Sequence, residues 1–270
     1  MIRNQDGIVV TAKSIKPNYE YYRHYFFEHS HSNEGIEYWV EIELDGYYLN
    51  LEIENNSDES VQISTIDSSV NGYMFDVSLE DYYMPVGSAD TTSVYLSRDE
   101  LKDDGIKVIL DVEFRLEIAK EDDVYTSDFL TVSTWSSGWR TQKYDDSGTV
   151  LYDEDGLKII SQGITKDNDE DEYCIWVYVE NESGKDVYLQ VGDTVQINDM
   201  YTMDLTELTV KVLDGKKEIH SYGFSIENME EDYGIGSKID FETMETSYKI
   251  LDPDTLEMIG ETGTLTLNLN

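Results

Sequence analysis

One pattern occurs twice in this chain, and it limits the fold more than any other feature. Residues 52–63 read EIENNSDESVQI and residues 178–189 read YVENESGKDVYL. Each is a strand-like run, a polar turn (Asn55 to Glu59; Asn181 to Lys185) and a second strand-like run. Further on, LSRDELKDDGI (96–106) matches FSIENMEEDYGI (224–235), VEFRLEI (112–118) matches IDFETME (239–245), and FLTVST (129–134) matches TLTLNL (264–269). The starts correspond as well: DGIVVTAKSI (6–15) and DGLKIISQGI (155–164) are each an Asp-Gly turn feeding an alternating strand. Blocks matched in the same order at a nearly constant offset indicate a duplicated unit.

The units read as all-β. LEIEN, VQIST, VYLS, IKVILDV and WVYVEN are rich in Val, Ile and Tyr, and several alternate apolar with polar. Asp-Gly or Asn-Gly pairs at 6–7, 45–46, 71–72, 104–105, 155–156 and 214–215 mark turns. Ser97 and Ser225 are placed to cap one short helical turn per unit, Ser97 with Glu100 at capping-box spacing, and Gly105 and Gly234 to stop it. The expected fold is two tandem immunoglobulin-like β-sandwich domains, each with one short helical turn. Domain 1 covers 1–140, a linker 141–154, and domain 2 covers 155–270. The first domain carries an insertion at 16–46, an aromatic stretch followed by an extra hairpin turning at Asp45-Gly46. Trp39 and Trp176 read as core, and Cys174, within YCIWVYV, as an inert buried thiol.

Three of these blocks carry a resemblance. IENNSDESVQI, SSVNGYM (68–74) and above all YDDSGTVLYDEDGLKI (144–159) resemble uncharacterised tandem domains of cell-surface proteins from gut Firmicutes. Such proteins typically hold the pair behind a lipoprotein signal, or behind a zinc ribbon and one membrane span. The resemblance implies a bacterial extracytoplasmic module with an immunoglobulin-like sandwich, similar to a secreted immunoprotective-antigen fold. It brings no catalytic residues. The 16–46 insertion departs from the usual pattern.

Charge then narrows the partners. With 58 acidic residues against 19 basic, the net charge is -39. Phosphate-backbone recognition needs a Lys/Arg surface, so nucleic acid is excluded as the expected partner. Docking on an anionic bilayer is disfavoured for the same reason. No stretch approaches the roughly 18 apolar residues of a membrane span, so no direct membrane insertion is expected in this chain. The opening MIRNQDGIVV lacks the layout of an export signal, which leaves the expected extracellular or cell-surface location to the resemblance.

No reaction motif is present: neither GxSxG, P-loop, GxGxxG nor HExxH occurs, and no enzyme is expected. Asp167, Asp169 and Asp171 mimic the start of a Ca²⁺ loop. Glu172 stands where that loop needs Gly, however, and Tyr178 where a bidentate Glu closes it. A looser Ca²⁺ site or a solvated acidic loop both suit these residues. His24, His29 and His31, with Glu28 and Glu34, allow a Zn²⁺ site to be drawn, or a loop that happens to hold histidines.

The binding candidates are aromatic. Tyr21, Tyr22, Tyr25, Phe26 and Phe27 crowd the insertion and suit a recognition surface; the alternative is that alternate ones fill the core. Trp135 and Trp139 flank Ser-Ser-Gly, where a sugar can stack or a domain can pack. The expected function is a non-catalytic extracytoplasmic binding or adhesion module contacting a protein partner at the cell surface; the alternatives are a carbohydrate-binding module, with a glycan as partner, and a structural spacer of a surface protein.

Overall fold

A computed structural model describes residues 2–5, 7–29, 35–77, 79, 82–121, 123–167, 172–192, 195–197, 201–203, 209–225 and 243–268. The chain is nearly all β and divides into two units, Met1–Asn71 with Phe75–Gln142, and Gly72–Met74 with Lys143–Asn270.

In the first unit, β1 (Ile2–Gln5), β2 (Ile8–His29), β3 (Gly35–Asn55) and β4 (Val61–Val70) come first. β5 (Tyr73–Met74) belongs to the second unit. Then follow β6 (Tyr82–Met84), β7 (Ala89–Ser97), α1 (Arg98–Asp103), β8 (Asp111–Ala119), β9 (Val124–Thr126) and β10 (Leu130–Ser133). One sheet is ordered β1-β2-β3-β7. In the other, β4 pairs with β6 and β8, and β8 pairs with β9 and β10. Each sheet buries one face. Along β8 the period-two pattern is complete, with Val112, Phe114, Leu116 and Ile118 buried, and Leu49, Leu51 and Ile53 of β3 are buried as well.

The second unit repeats this order. β11 (Thr149–Glu154), β12 (Leu157–Asp167), β13 (Glu172–Asn181) and β18 (Lys216–Ser225) form one sheet, and β5 joins β18 in parallel at Tyr73. Opposite them lie β14 (Val187–Val191), β15 (Val195–Ile197), β16 (Tyr201–Met203) and β17 (Thr209–Val212). With these run β19 (Thr243–Thr246), β20 (Tyr248–Leu251), β21 (Met258–Glu261) and β22 (Leu265–Asn268). The orders are β17-β14-β20-β21 and β16-β15-β19-β22, so β14/β15 take the place of β4 and β20/β19 that of β8. Both faces meet in one core that includes Ile159, Val177, Leu189, Tyr222, Tyr248 and Ile250.

Two buried polar constructions recur in both units. Asn55 and Asn181 are fully buried, and each holds a turn closed. The Asn55 amide donates to the carbonyls of Glu59, Met84 and Pro85, and its Oδ1 accepts from Ser57 N and Oγ. The Asn181 amide donates to Lys185 and Val212, and its Oδ1 accepts from Ser183 N and Oγ. The second construction is a buried hydroxyl. Leu116 N donates to Ser127 Oγ while Ser127 N donates to Leu116 O; Tyr248 N and Thr262 do the same. Such pairing satisfies backbone groups where the ladder breaks.

These partners correct one matched block. Ile63 of β4 faces Ile118, and Leu189 of β14 faces Ile250; Leu130 faces Phe114, and Leu265 faces Thr246. METSYKI (244–250), not residues 239–245, therefore stands where VEFRLEI stands. In so acidic a chain an acidic–Phe pair recurs easily, whereas register is set by what is buried.

Other expectations meet the structure unevenly. Ser97 caps α1 by accepting from Glu100 N, and Gly105 (φ +67°) ends it, with Gly105 N donating to Lys102 O and Ile106 N to Leu101 O. The corresponding helix after Ser225, with Gly234, lies outside the described residues. Asp155 and Gly156 both have positive φ and close a two-residue hairpin between β11 and β12. The stretch 141–154, expected as a linker, contains β11, and its Leu151 and Tyr152 pack on the second core.

The Asp45-Gly46 hairpin does not exist. β3 runs straight through both residues, and Gly46 pairs with Asn18 on one side and Ser97 on the other. A Cβ on Gly46 would lie 2.2 Å from the Leu96 carbonyl and 2.7 Å from the Tyr95 ring. The glycine is there for close approach, not for a turn. Trp176 is half-buried rather than core: Ile175 and Val177 take the inward face, and its indole N–H donates to Thr165 Oγ1 at 2.9 Å. Cys174 is likewise half-buried. The side chain of Trp39 lies outside the described residues.

Candidate binding groove

β2 carries a bulge. Its register with β3 advances from Ala12 to Ser14 and leaves Lys13 as the extra residue. Bulges bend a strand away from its neighbour and re-aim its side chains. Here the bend opens a groove of about 590 Å³ between Ala12–Ile15 of β2 and Thr131–Trp135, the end of β10 and the residues after it. Lys13 pairs with Glu52, Asn50 donates to Ser14 Oγ at 3.2 Å, and Thr131 Oγ1 donates to Glu113 at 3.0 Å.

The mouth of the groove is aromatic. A 3-10 turn over Trp135–Gly138 follows Thr134, whose N–H donates to Leu110 O and whose Oγ1 donates to Ile109 O. Ser137 Oγ donates back to Thr134 O at 2.8 Å. Held in this way, Trp135 is 85% exposed and Trp139 is 56% exposed. Their rings meet edge-on at 5.6 Å, and Arg140 lies 4.5 Å from the Trp139 ring. Two tryptophans kept in solvent by an anchored turn form a platform for stacking.

The other aromatic candidates follow β2. Tyr21, Tyr22, Tyr25, Phe26 and Phe27 lie on its backbone, with their side chains outside the described residues. Register sets Tyr21 opposite Glu43, Tyr22 opposite Ile42, Tyr25 opposite Trp39, Phe26 opposite Tyr38 and Phe27 opposite Glu37. β7 pairs with β3 only as far as Gly46–Ser97. Beyond that pair the described partners of β2 and β3 are each other, so the expected insertion is a two-stranded ribbon extending the β2–β3 hairpin. Its aromatic density was legible in the sequence; its strand character was masked by the Asp-Gly pair and by Pro17, which sits in β2.

The metal candidates fall outside the described residues, wholly or in their side chains. Asp167 ends β12, its side chain is outside them, and Asp169 and Asp171 lie outside them altogether. The same holds for His31 and Glu34 and for the side chains of His24, Glu28 and His29. Among the described residues no group of three or more His, Cys, Asp or Glu is placed to hold a metal ion. His220, half-buried and edge-on to Tyr222 at 4.6 Å, has its pKa lowered by burial. A second groove of about 560 Å³ lies beside the Asn55 turn, lined by Asp58–Gln62, Tyr83, Val86 and Ala119–Glu121.

No protein-family model matches the chain. No curated protein sequence matches it. Among solved structures it is similar to a protein of unknown function from Porphyromonas gingivalis W83. That match has 11% identity and a TM-score of 0.23, and it covers 83% of this chain and 92% of that one.

Proposed function

We propose that this chain is a non-catalytic extracytoplasmic binding module, built from two tandem immunoglobulin-like sandwiches, that contacts a protein partner through the β2–β3 ribbon. The immunoglobulin-like reading is supported by strand order. Leaving β1 aside, β2-β3-β7 and β6-β4-β8-β10 follow the order of immunoglobulin strands A-B-E and C′-C-F-G. The order in the second unit is the same, with β12-β13-β18 on one side. The extracytoplasmic reading rests on the resemblance and on a surface charge suited to solubility.

The observation that carries the partner reading is the ribbon's register, which continues from Tyr19↔Asp45 to His29↔Gly35 past the last β7 pair. A ribbon with Tyr, Phe and Trp along its strands offers large contact area at low entropic cost. A second reading, a glycan ligand, is favoured by the exposure of Trp135 and Trp139.

One binding assay separates them. Labelled protein is applied to intact cells with and without prior protease treatment, alongside two variants. One variant replaces residues 19–45 by an Asn-Gly turn, which keeps pairing up to Asn18↔Gly46; the other is Trp135→Ala with Trp139→Ala. The expected result is binding that needs cell-surface protein, is lost without the ribbon and survives the tryptophan change. Unchanged binding by the ribbon-less variant overturns the proposal, and loss only in the tryptophan variant moves it to glycan. No binding by any form leaves the structural spacer.

A further inference from the structure

The corresponding hairpins of the two units end differently. In the first, β8 and β9 pair without a bulge as far as Ala119↔Val124. The loop between them is the charged sequence KEDD (120–123), closed by Lys120 N donating to Asp123 O. In the second, β20 and β21 pair as far as Leu251↔Met258, and the loop is DPDTLE (252–257). Asp252 closes this loop. Its N–H donates to Glu257 O, its carbonyl accepts from Leu256 N, and its Oδ1 accepts from Asp254 N, Thr255 N and Thr255 Oγ1. The Leu256 side chain takes no part in this closure, yet Leu256 sits at φ +58°, a left-handed conformation that Gly or Asn holds at less cost. It is also 63% exposed, so burial returns little. Beyond it, Ile259 is the extra residue of a bulge between Leu251↔Met258 and Ile250↔Gly260. Met258 is 57% exposed and Ile259 43%.

We infer that the β20–β21 tip is a docking knob for another protein, one whose surface sets Lys or Arg around an apolar pocket. A leucine kept in solvent at a backbone cost does nothing for its own sandwich, and such strain collects at functional sites. The first unit is the internal control. Val124, the counterpart of Met258, is 64% exposed as well, so one apolar side chain at that place belongs to both units. Leu256 and Ile259 are what the second unit adds, and an exposed apolar patch rimmed by polar residues marks an interface. Charge selects the occupant. Asp254, Glu257 and Glu261 are exposed beside the patch, and Lys185 is already held by Asp252 at 3.9 Å. A second copy of a chain with net charge -39 is repelled, and so is an anionic bilayer. A cationic rim is attracted, and the apolar contact supplies the affinity. This contact site lies on the second unit and is independent of the ribbon reading.

The test uses the intact chain and, as probe, a short synthetic amphipathic helix of leucine and lysine at about 150 mM NaCl. Amide chemical shifts are followed residue by residue. The changes are expected to concentrate in 254–260, and binding is expected to weaken at least about tenfold when Leu256→Asn is combined with Ile259→Thr. Leu256→Asn alone is expected to melt at the same temperature as the parent or higher, because Asn suits the left-handed backbone. A lower melt means that Leu256 serves the fold, and overturns the inference. Undiminished binding by the double variant overturns it too, as do equal tip shifts with serine in place of the probe's leucines or glutamate in place of its lysines. Equal tip shifts with phosphatidylcholine vesicles, or a dimer in sedimentation that the double variant abolishes, move the knob to lipid or to a second copy and also overturn it. Because the probe is synthetic, the result is independent of whether the ribbon-less variant binds cells.

Discussion

Asn55 and Asn181 show how much one side chain can specify. Each is buried and uses both ends of its amide on backbone groups of two different turns. A buried carbonyl left without a donor costs roughly 1–3 kcal/mol, so few other residues fit there. Asp104, by contrast, is placed at a cost. It is the C-cap of α1, where the helix end is already negative, and burial, then Asp103 and Glu100, push its pKa up to about 7. Glu100 is itself raised by burial, with Asp76 and Asp103 adding to it. A carboxyl whose folded pKa lies above its unfolded value holds its proton better when folded. Its contribution therefore worsens as pH climbs from about 4 to about 7 and stays unfavourable above that. Asp104→Asn is expected to raise the denaturation midpoint at pH 8 and leave it unchanged near pH 4. Urea titrations at the two pH values check this; an equal gain at both would mean that the carboxylate's charge is not the cause.

At the scale of elements, β2 and β3 are unusual for their length, 22 and 21 residues. What keeps β3 continuous through Asp45-Gly46 is β7, whose Leu96 carbonyl and Tyr95 ring occupy the space a side chain would need. Tyr95 Oη donates to Asp45 O, and Arg98 pairs with Asp45 at 2.9 Å, which holds the passage from the outer side. Gly46→Ala must push β7 away and is expected to destabilise the chain by about 2 kcal/mol. A thermal melt of this variant measures it, and an unchanged melt would mean that β7 moves freely at this point.

Taken whole, the molecule carries far more carboxylates than its cations can neutralise. Individual pairs are good, as with Lys217, whose ammonium is 2.8 Å from Glu180 and sits over the Tyr144 ring at 4.5 Å. But 19 basic residues against 58 acidic ones leave a surplus whose mutual repulsion opposes compactness. Raising ionic strength from about 10 mM to about 150 mM shortens the screening length from roughly 30 Å to 8 Å. The melting temperature is therefore expected to rise by several degrees with NaCl. A fall instead would show that attractive pairs dominate the electrostatics.

The sequence by itself determined what depends on neighbours along the chain. Val- and Ile-rich runs such as VQIST and WVYVEN marked β4 and β13, the Ser97–Glu100 spacing placed the cap of α1, and Asp155-Gly156 chose its hairpin, because each is a local conformational preference. The double occurrence of the Asn turn marked the shared construction of the units before any strand was paired. Tertiary structure decided the rest. Whether Asp45-Gly46 turns or runs straight depended on Leu96 and Tyr95, about fifty residues away. Which segment stands opposite Ile63 or Leu189 depended on cross-strand burial, which a period of two leaves free to slip. The groove beside Lys13 and the exposure of Trp135 arose where a bulge met the end of β10, and contacts of that kind leave no mark in either segment alone.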